Sequence, residues 1–115
     1  MEKQLSFDEV IILISSEFDR AITKFPEWPI DIIHAFNIIT EEYGELSRNC
    51  NQFTYEPDKT GLNHIRSECI QLAAMAIRFL MHHREYLIKR SEMVTTRKNI
   101  ENHDNSATIY IPDDL

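Results

Sequence analysis

The stretch Ile39-Thr40-Glu41-Glu42-Tyr43-Gly44-Glu45-Leu46, echoed further on by Glu68-Cys69-Ile70-Gln71, decides how this 115-residue chain is read. At about 100° per residue, a helix carrying the first stretch sets Glu42 and Glu45 at the edge of an apolar stripe of Ile32, Ile39 and Leu46. A helix carrying the second gives Glu68 and Gln71 the same place beside Ile65, Leu72 and Ala76. Two such helices packed on their apolar stripes bring three carboxylates and one amide oxygen towards a shared seam. Crowded carboxylates lose hydration and repel one another, so the seam calls for a cation or for protons. Hard oxygen donors suit magnesium, or manganese, with waters completing the shell. Spacing alone leaves a solvated acidic helix face as the other reading of these four residues.

Working outward, Ser6 followed by Glu9 forms a capping box, and Val10, Leu13, Ile14, Phe18 and Ala21 recur at helical spacing, which predicts a first helix over Phe7–Lys24. The segment Phe25-Pro26-Glu27-Trp28-Pro29 cannot continue it, because each proline lacks an N–H and restricts the residue before it. Pro29 then serves as a first-turn residue of a second helix from Ile30 to Asn51, with Asp31 near its positive end. Pro57, Asp58 and Gly61 make Gln52–Gly61 a loop. A third helix starts near Leu62 and passes Leu80, with Ile65, Cys69, Leu72, Ala76, Phe79 and Leu80 on one broad face. Beyond Ile88 the text turns polar. It has room for a short fourth helix between Lys89 and Ser106, then an extended tail over Ala107–Ile111.

This outlines an all-α bundle of three long helices in one domain, residues 1–90, with a polar extension over 91–115 that is partly ordered or packs on a dimer. The third helix carries a second apolar arc, Ile70, Ala74, Ile77 and Met81, which one partner helix cannot cover. Assembly into a homodimer or larger homo-oligomer is the expected solution, with a folded-back segment from Lys89 to Ile111 as the alternative.

Composition narrows the function. Two glycines and four prolines are too few breakers for a many-turned β fold. Nineteen acidic against twelve basic residues, net charge -7, repel a polyanion, so no nucleic-acid partner is expected. Uncharged apolar runs such as Val10–Ser16 are far too short to span a membrane, and a cytoplasmic location is expected. Cys50 and Cys69 lack metal-site spacing and read as small buried apolar residues. No glutamate has a histidine three positions on, as a ferritin-like di-iron centre needs, and no G-x-x-x-x-G-K-S/T loop occurs.

The pattern Glu41-Glu42-x-x-Glu45, then 22 residues, then Glu68-x-x-Gln71, resembles the E-E-x-x-E and E-x-x-D motifs of the MazG-type all-α nucleoside triphosphate pyrophosphohydrolases. The flanking text from His34 to Glu42 and from Gln71 to Arg78 also looks like their small phage and bacterial members, so the resemblance covers about residues 28 to 80. It implies a MazG-like bundle that hydrolyses a nucleoside triphosphate to its monophosphate and pyrophosphate. It further implies magnesium ligation by Glu42, Glu45 and Glu68, with Glu41 orienting or deprotonating water. Gln71 departs from the pattern, because an amide offers one weaker oxygen where the family has a carboxylate. A catalytically silent module that dimerises and binds a nucleotide or protein partner is the alternative.

Three further residues are candidates for substrate binding. Arg78 continues the Glu68 stripe and would meet a phosphate or a salt-bridge partner. His34 shares the face of Glu42 and would contact substrate or solvent. Trp28 would stack on a base or staple two helices together. Gly44, costly inside a helix, suggests a close helix contact.

Overall fold

The computed structural model describes residues 3–104 and holds four α-helices, with no strand among the described residues. Helix α1 spans Phe7–Lys24, α2 Ile32–Tyr55, α3 Leu62–Met81 and α4 His83–Asp104. The expected all-α class and the limits of α1 hold. Ser6 Oγ accepts from the Glu9 N–H at 3.1 Å while the Ser6 N–H donates to Glu9 Oε1 at 3.1 Å, the reciprocal pair that starts α1.

Helix α2 departs from the expected limits at both ends. Asp31 caps it, accepting from the N–H groups of Ile33 at 2.8 Å and His34 at 3.3 Å, so Pro29 and Ile30 lie outside the helix rather than in its first turn. At the other end Gln52, Phe53 and Thr54 contain no breaker, and the helix stops only at Tyr55, just ahead of the Glu56-Pro57 restriction.

Helix α4 is the larger correction. A short helix was expected, yet 22 residues are helical after the single interruption at His82, and the expected boundary at residue 90 falls inside it. Residues 83–104 contain neither glycine nor proline and are rich in Arg, Glu and Lys, which favour helix intrinsically. Their polar residues surround the axis, which erases the periodic signal that sequence reading depends on. The expected tail over Ala107–Ile111 lies outside the described residues.

Helix α3 is the hub: it packs along α2 and along α1, and meets α4 only where the two join. The outcome is elongated, with extents of 69 × 30 × 24 Å and a radius of gyration of 20.1 Å. About 13 Å would be typical of a compact domain of this size, so α4 stands out as an arm.

Having two neighbours rotates α3 away from the expected face. Ala74 is fully buried, in the arc assigned to a partner molecule. Cys69 and Ala76 are exposed, and Leu80 is 68% exposed. Cys50 is exposed as well, about 80° around α2 from Glu42, so the expected burial of both cysteines does not hold. No side chain stands within 4 Å of a Cβ built on Gly44, so the expected close contact at that glycine is absent within the chain.

The α1–α2 linker is pinned to the α3–α4 junction. Trp28 Nε1–H donates to the Tyr86 hydroxyl at 2.6 Å, its ring stacks on His82 at 6.0 Å, and Phe79 packs on Tyr86 at 4.9 Å. Ala35 of α2 is fully buried in the same cluster, with Ile38 and Met75 against it.

The two candidate faces of α3 separate in a denaturation experiment. Ala74→Leu overfills a closed contact and costs about 1–3 kcal/mol of unfolding free energy. Ala76→Leu, on the open face, shifts it by less than about 0.5 kcal/mol. The reverse ranking in urea titrations would restore the sequence-derived face.

Candidate metal centre

Helices α2 and α3 carry the two halves of the acidic pattern to one place. Carboxylate oxygens of Glu42, Glu45 and Glu68 lie within 4.8 Å of one another. Glu42 sits in the middle of α2's inward face, in line with Ala35, Ile38 and Ile39 rather than at the stripe's edge. The inward stripe of α3 likewise contains Glu68, Gln71, Met75 and Arg78, the polar line itself.

The electrostatics follow from this crowding. Burial, with the charges of Glu45, Glu68, Glu17 and Glu41, pushes the Glu42 carboxyl up to about 7. Glu68 is also raised, chiefly by burial and then by the adjoining Glu45 carboxyl, while Arg48 and His64 pull it down. Glu42 Oε2 and Glu68 Oε2 are buried and have no hydrogen-bond partner. Buried carboxylate oxygens left bare in a field of like charge are unfavourable unless a cation or protons arrive. The donor set is one a hard dication could take: three carboxylate oxygens already stand within 4.8 Å of one another, and neighbouring oxygens in an octahedral magnesium shell lie about 3.0 Å apart, so the side chains would draw closer around an ion.

The other expected ligand and the expected base stand close by. Gln71, one turn beyond Glu68, turns its amide back along α3 in a long 3.5 Å bond to Ser67 Oγ. Glu41 is exposed about 100° around α2, and its charge adds to the field at Glu42.

The three substrate candidates gather at another level of the bundle. Arg78 is only 4% exposed, its guanidinium 4.9 Å from the Trp28 ring centroid and its Nη2 donating to the Glu27 carbonyl at 3.3 Å. Burial lowers its pKa, and its Nε has no partner. Trp28 is correspondingly held as a staple between the linker, α3 and α4. His34 is exposed and, with Trp28, Asp31 and Lys89, lines a groove of about 470 Å³. Eight helical residues, about 12 Å, separate His34 from Glu42.

Sequence reading missed Glu17. Its side chain is 13% exposed, it binds Arg20, and its charge bears on Glu42. A signal existed: Glu17 falls between Leu13 and Ala21 in the middle of α1's apolar stripe, where an acid is out of place.

Compared with protein-family models, with curated proteins and with solved structures, the chain matches none. Among the described residues no helix is long and apolar enough to cross a membrane.

The carboxylate cluster predicts a pH dependence. Glu42 keeps its proton to about 7 when folded, against 4.5 for an ordinary glutamate, so between those values the folded state binds more protons than the unfolded one. Stability in metal-free buffer therefore falls as pH rises from about 5 to about 7.5. Glu42→Gln flattens that slope in thermal melts. A wild-type melting temperature that stays level would mean these carboxyls ionise without penalty.

Proposed function

We propose that the chain is a magnesium-dependent nucleotide pyrophosphohydrolase of MazG-like type, cleaving a nucleoside triphosphate to monophosphate and pyrophosphate. The observation that supports it is the convergence of Glu42, Glu45 and Glu68, with two buried carboxylate oxygens lacking any partner. These three residues would hold the ion, and Gln71, whose Nε2–H donates to Ser67 Oγ, keeps its amide oxygen out of that bond. A dication held there would supply positive charge to offset that of the phosphates and would lower the pKa of a water.

In the reaction a water oxygen attacks the α-phosphorus, the bond from that phosphorus to the bridging oxygen breaks, and pyrophosphate departs. Glu41, exposed beside the cluster, takes the water's proton. The groove at His34 and Trp28 lies about 12 Å along α2, a span over which an extended nucleotide can place its base. Arg78 shapes that end by holding Trp28.

A homo-oligomer belongs to the same reading. The described chain leaves large apolar side chains exposed on every helix, including Phe7, Ile33, Phe36, Leu80 and Leu87. Patches of that extent mark surfaces covered in an assembly. Exposed thiols at Cys50 and Cys69 suit a reducing cytoplasm. The competing reading, a silent helical module that binds a nucleotide or protein partner, draws on the amide at Gln71.

Incubation with a panel of nucleoside triphosphates and magnesium distinguishes the two readings. Pyrophosphate release, abolished by EDTA and lost by at least about 100-fold in Glu45→Ala plus Glu68→Ala, is the expected outcome. Orthophosphate release, or no turnover with any base, would remove the enzyme reading. In calorimetry, Gln71→Asp tightens magnesium binding, since a charged oxygen replaces a neutral one. Light scattering at micromolar concentration is expected to give at least twice the 13.6 kDa chain mass. A monomer mass would remove the assembly.

A further inference from the structure

The reading above leaves a charged pair on α1 without a role. Glu17 lies in the buried stripe of α1, and its carboxylate grips Arg20 with a two-bond fork, Nε–H to Oε2 at 2.8 Å and Nη2–H to Oε1 at 2.5 Å. Helix α1 packs on α3, which carries Glu68, and the charge of Glu17 reaches Glu42. Arg20 stays 55% exposed, and the charge of Glu42 reaches it in turn. A guanidinium, forked to Glu17 on the helix that packs on α3, is thus presented to solvent within electrostatic reach of Glu42.

A stabilising role alone does not account for this arrangement. An i,i+3 ion pair with an exposed partner contributes a few tenths of a kcal/mol, roughly. Placing Glu17 against Glu42 instead adds a further like charge to a crowded site, where an apolar residue would continue the stripe. What the pair does provide is an arginine held in a fixed place by a group of the same shape as a phosphate edge. Guanidinium forks bind carboxylate and phosphate with one geometry, so exchange between them needs little rearrangement. A polyphosphate with one dication bound remains anionic and calls for such a donor. Arg48 and His64, the other basic groups in reach of the cluster, act on Glu68.

We propose that Arg20 is a phosphate-binding arm of this site, parked on Glu17 in the empty protein and transferred to non-bridging oxygens of a polyphosphate when one binds. The assignment rests on the polyphosphate reading of the site, and the probe is chosen so that arm and metal are scored separately. Inorganic tripolyphosphate, which needs no base recognition, is titrated calorimetrically into the full chain, and Mn2+ is titrated alone.

Arg20→Ala is expected to weaken tripolyphosphate by about tenfold and Arg20→Lys by less, since lysine keeps the charge and loses the fork. Glu17→Gln releases the guanidinium and tightens tripolyphosphate, and that gain shrinks by several-fold when Arg20→Ala is combined with it, a coupling that a structural ion pair would not produce. Affinity for Mn2+ alone stays within about twofold in all three variants. Equal tripolyphosphate affinity in folded Arg20→Ala and wild type overturns the proposal. So does a loss of Mn2+ affinity in Glu17→Gln with tripolyphosphate unchanged, which would make Glu17 a fourth metal ligand. Wild type that ignores Mn2+ yet binds tripolyphosphate through Arg20 removes the metal-dependent reading and keeps the arm. No tripolyphosphate binding by wild type removes both.

Discussion

Trp28 is held on three sides, by the Arg78 guanidinium against its face, by His82 stacked near it and by the Tyr86 hydroxyl on its N–H. The residue belongs to the linker between α1 and α2, while its partners come from the end of α3, the junction and the start of α4. Fixing one indole therefore fixes where α2 begins relative to α3, because Asp31 caps α2 only three residues later. The register so set carries down the pair to Glu42 and Glu68. Cation–π and aromatic contacts of this kind are worth about 1 kcal/mol each beyond the area they bury, and the indole's burial contributes more. Arg78, on a polar stripe in sequence, is thereby part of the core rather than of the solvent-facing surface.

The core around this node is thin. Among the described residues the buried hydrophobic positions are Ala21, Trp28, Ala35, Ala74 and Tyr86, three of them alanine, and none of the large side chains is fully enclosed. Alanine at the α2–α3 contact lets the backbones approach closely and brings short carboxylate side chains within reach of each other across the seam. The same closeness leaves little apolar area to offset their repulsion. A chain of this size buries roughly two thirds of its extended surface when compact. Here an arm projects and apolar side chains lie open along every helix, so the described chain buries less than a compact domain would.

The electrostatic pattern has a matching logic. Burial and the charges of Glu45, Glu68, Glu17 and Glu41 raise the protonation tendency at Glu42, and Arg20, Arg48 and His64 act on the cluster from around it. Acids thus gather at the α2–α3 seam, with basic groups acting on them from its edge. Two levels of the bundle are involved: the charged one at Glu42, and the aromatic groove at Trp28 and His34.

Several features were legible in the sequence because they are local. The capping box of Ser6 and Glu9, the limits of α1 and the sharing of one helix face by Glu42 with Glu45 and by Glu68 with Gln71 follow from spacing along one helix. What spacing cannot supply is how many neighbours a helix has. With α1 on one side and α2 on the other, α3 turns its Glu68, Met75 and Arg78 line inward and leaves Cys69, Ala76 and Leu80 outside, against the apolar count. Glu17 and Arg20 join the site from 25 and 22 positions before Glu42, a proximity created by packing alone. Helix α4 hid for the opposite reason: its propensity is high and its periodicity nil, so only the folded chain displays its length. Sequence thus determined which residues share a face, and tertiary structure decided which faces meet, because burial of a side chain is a property of two surfaces and sequence periodicity describes one.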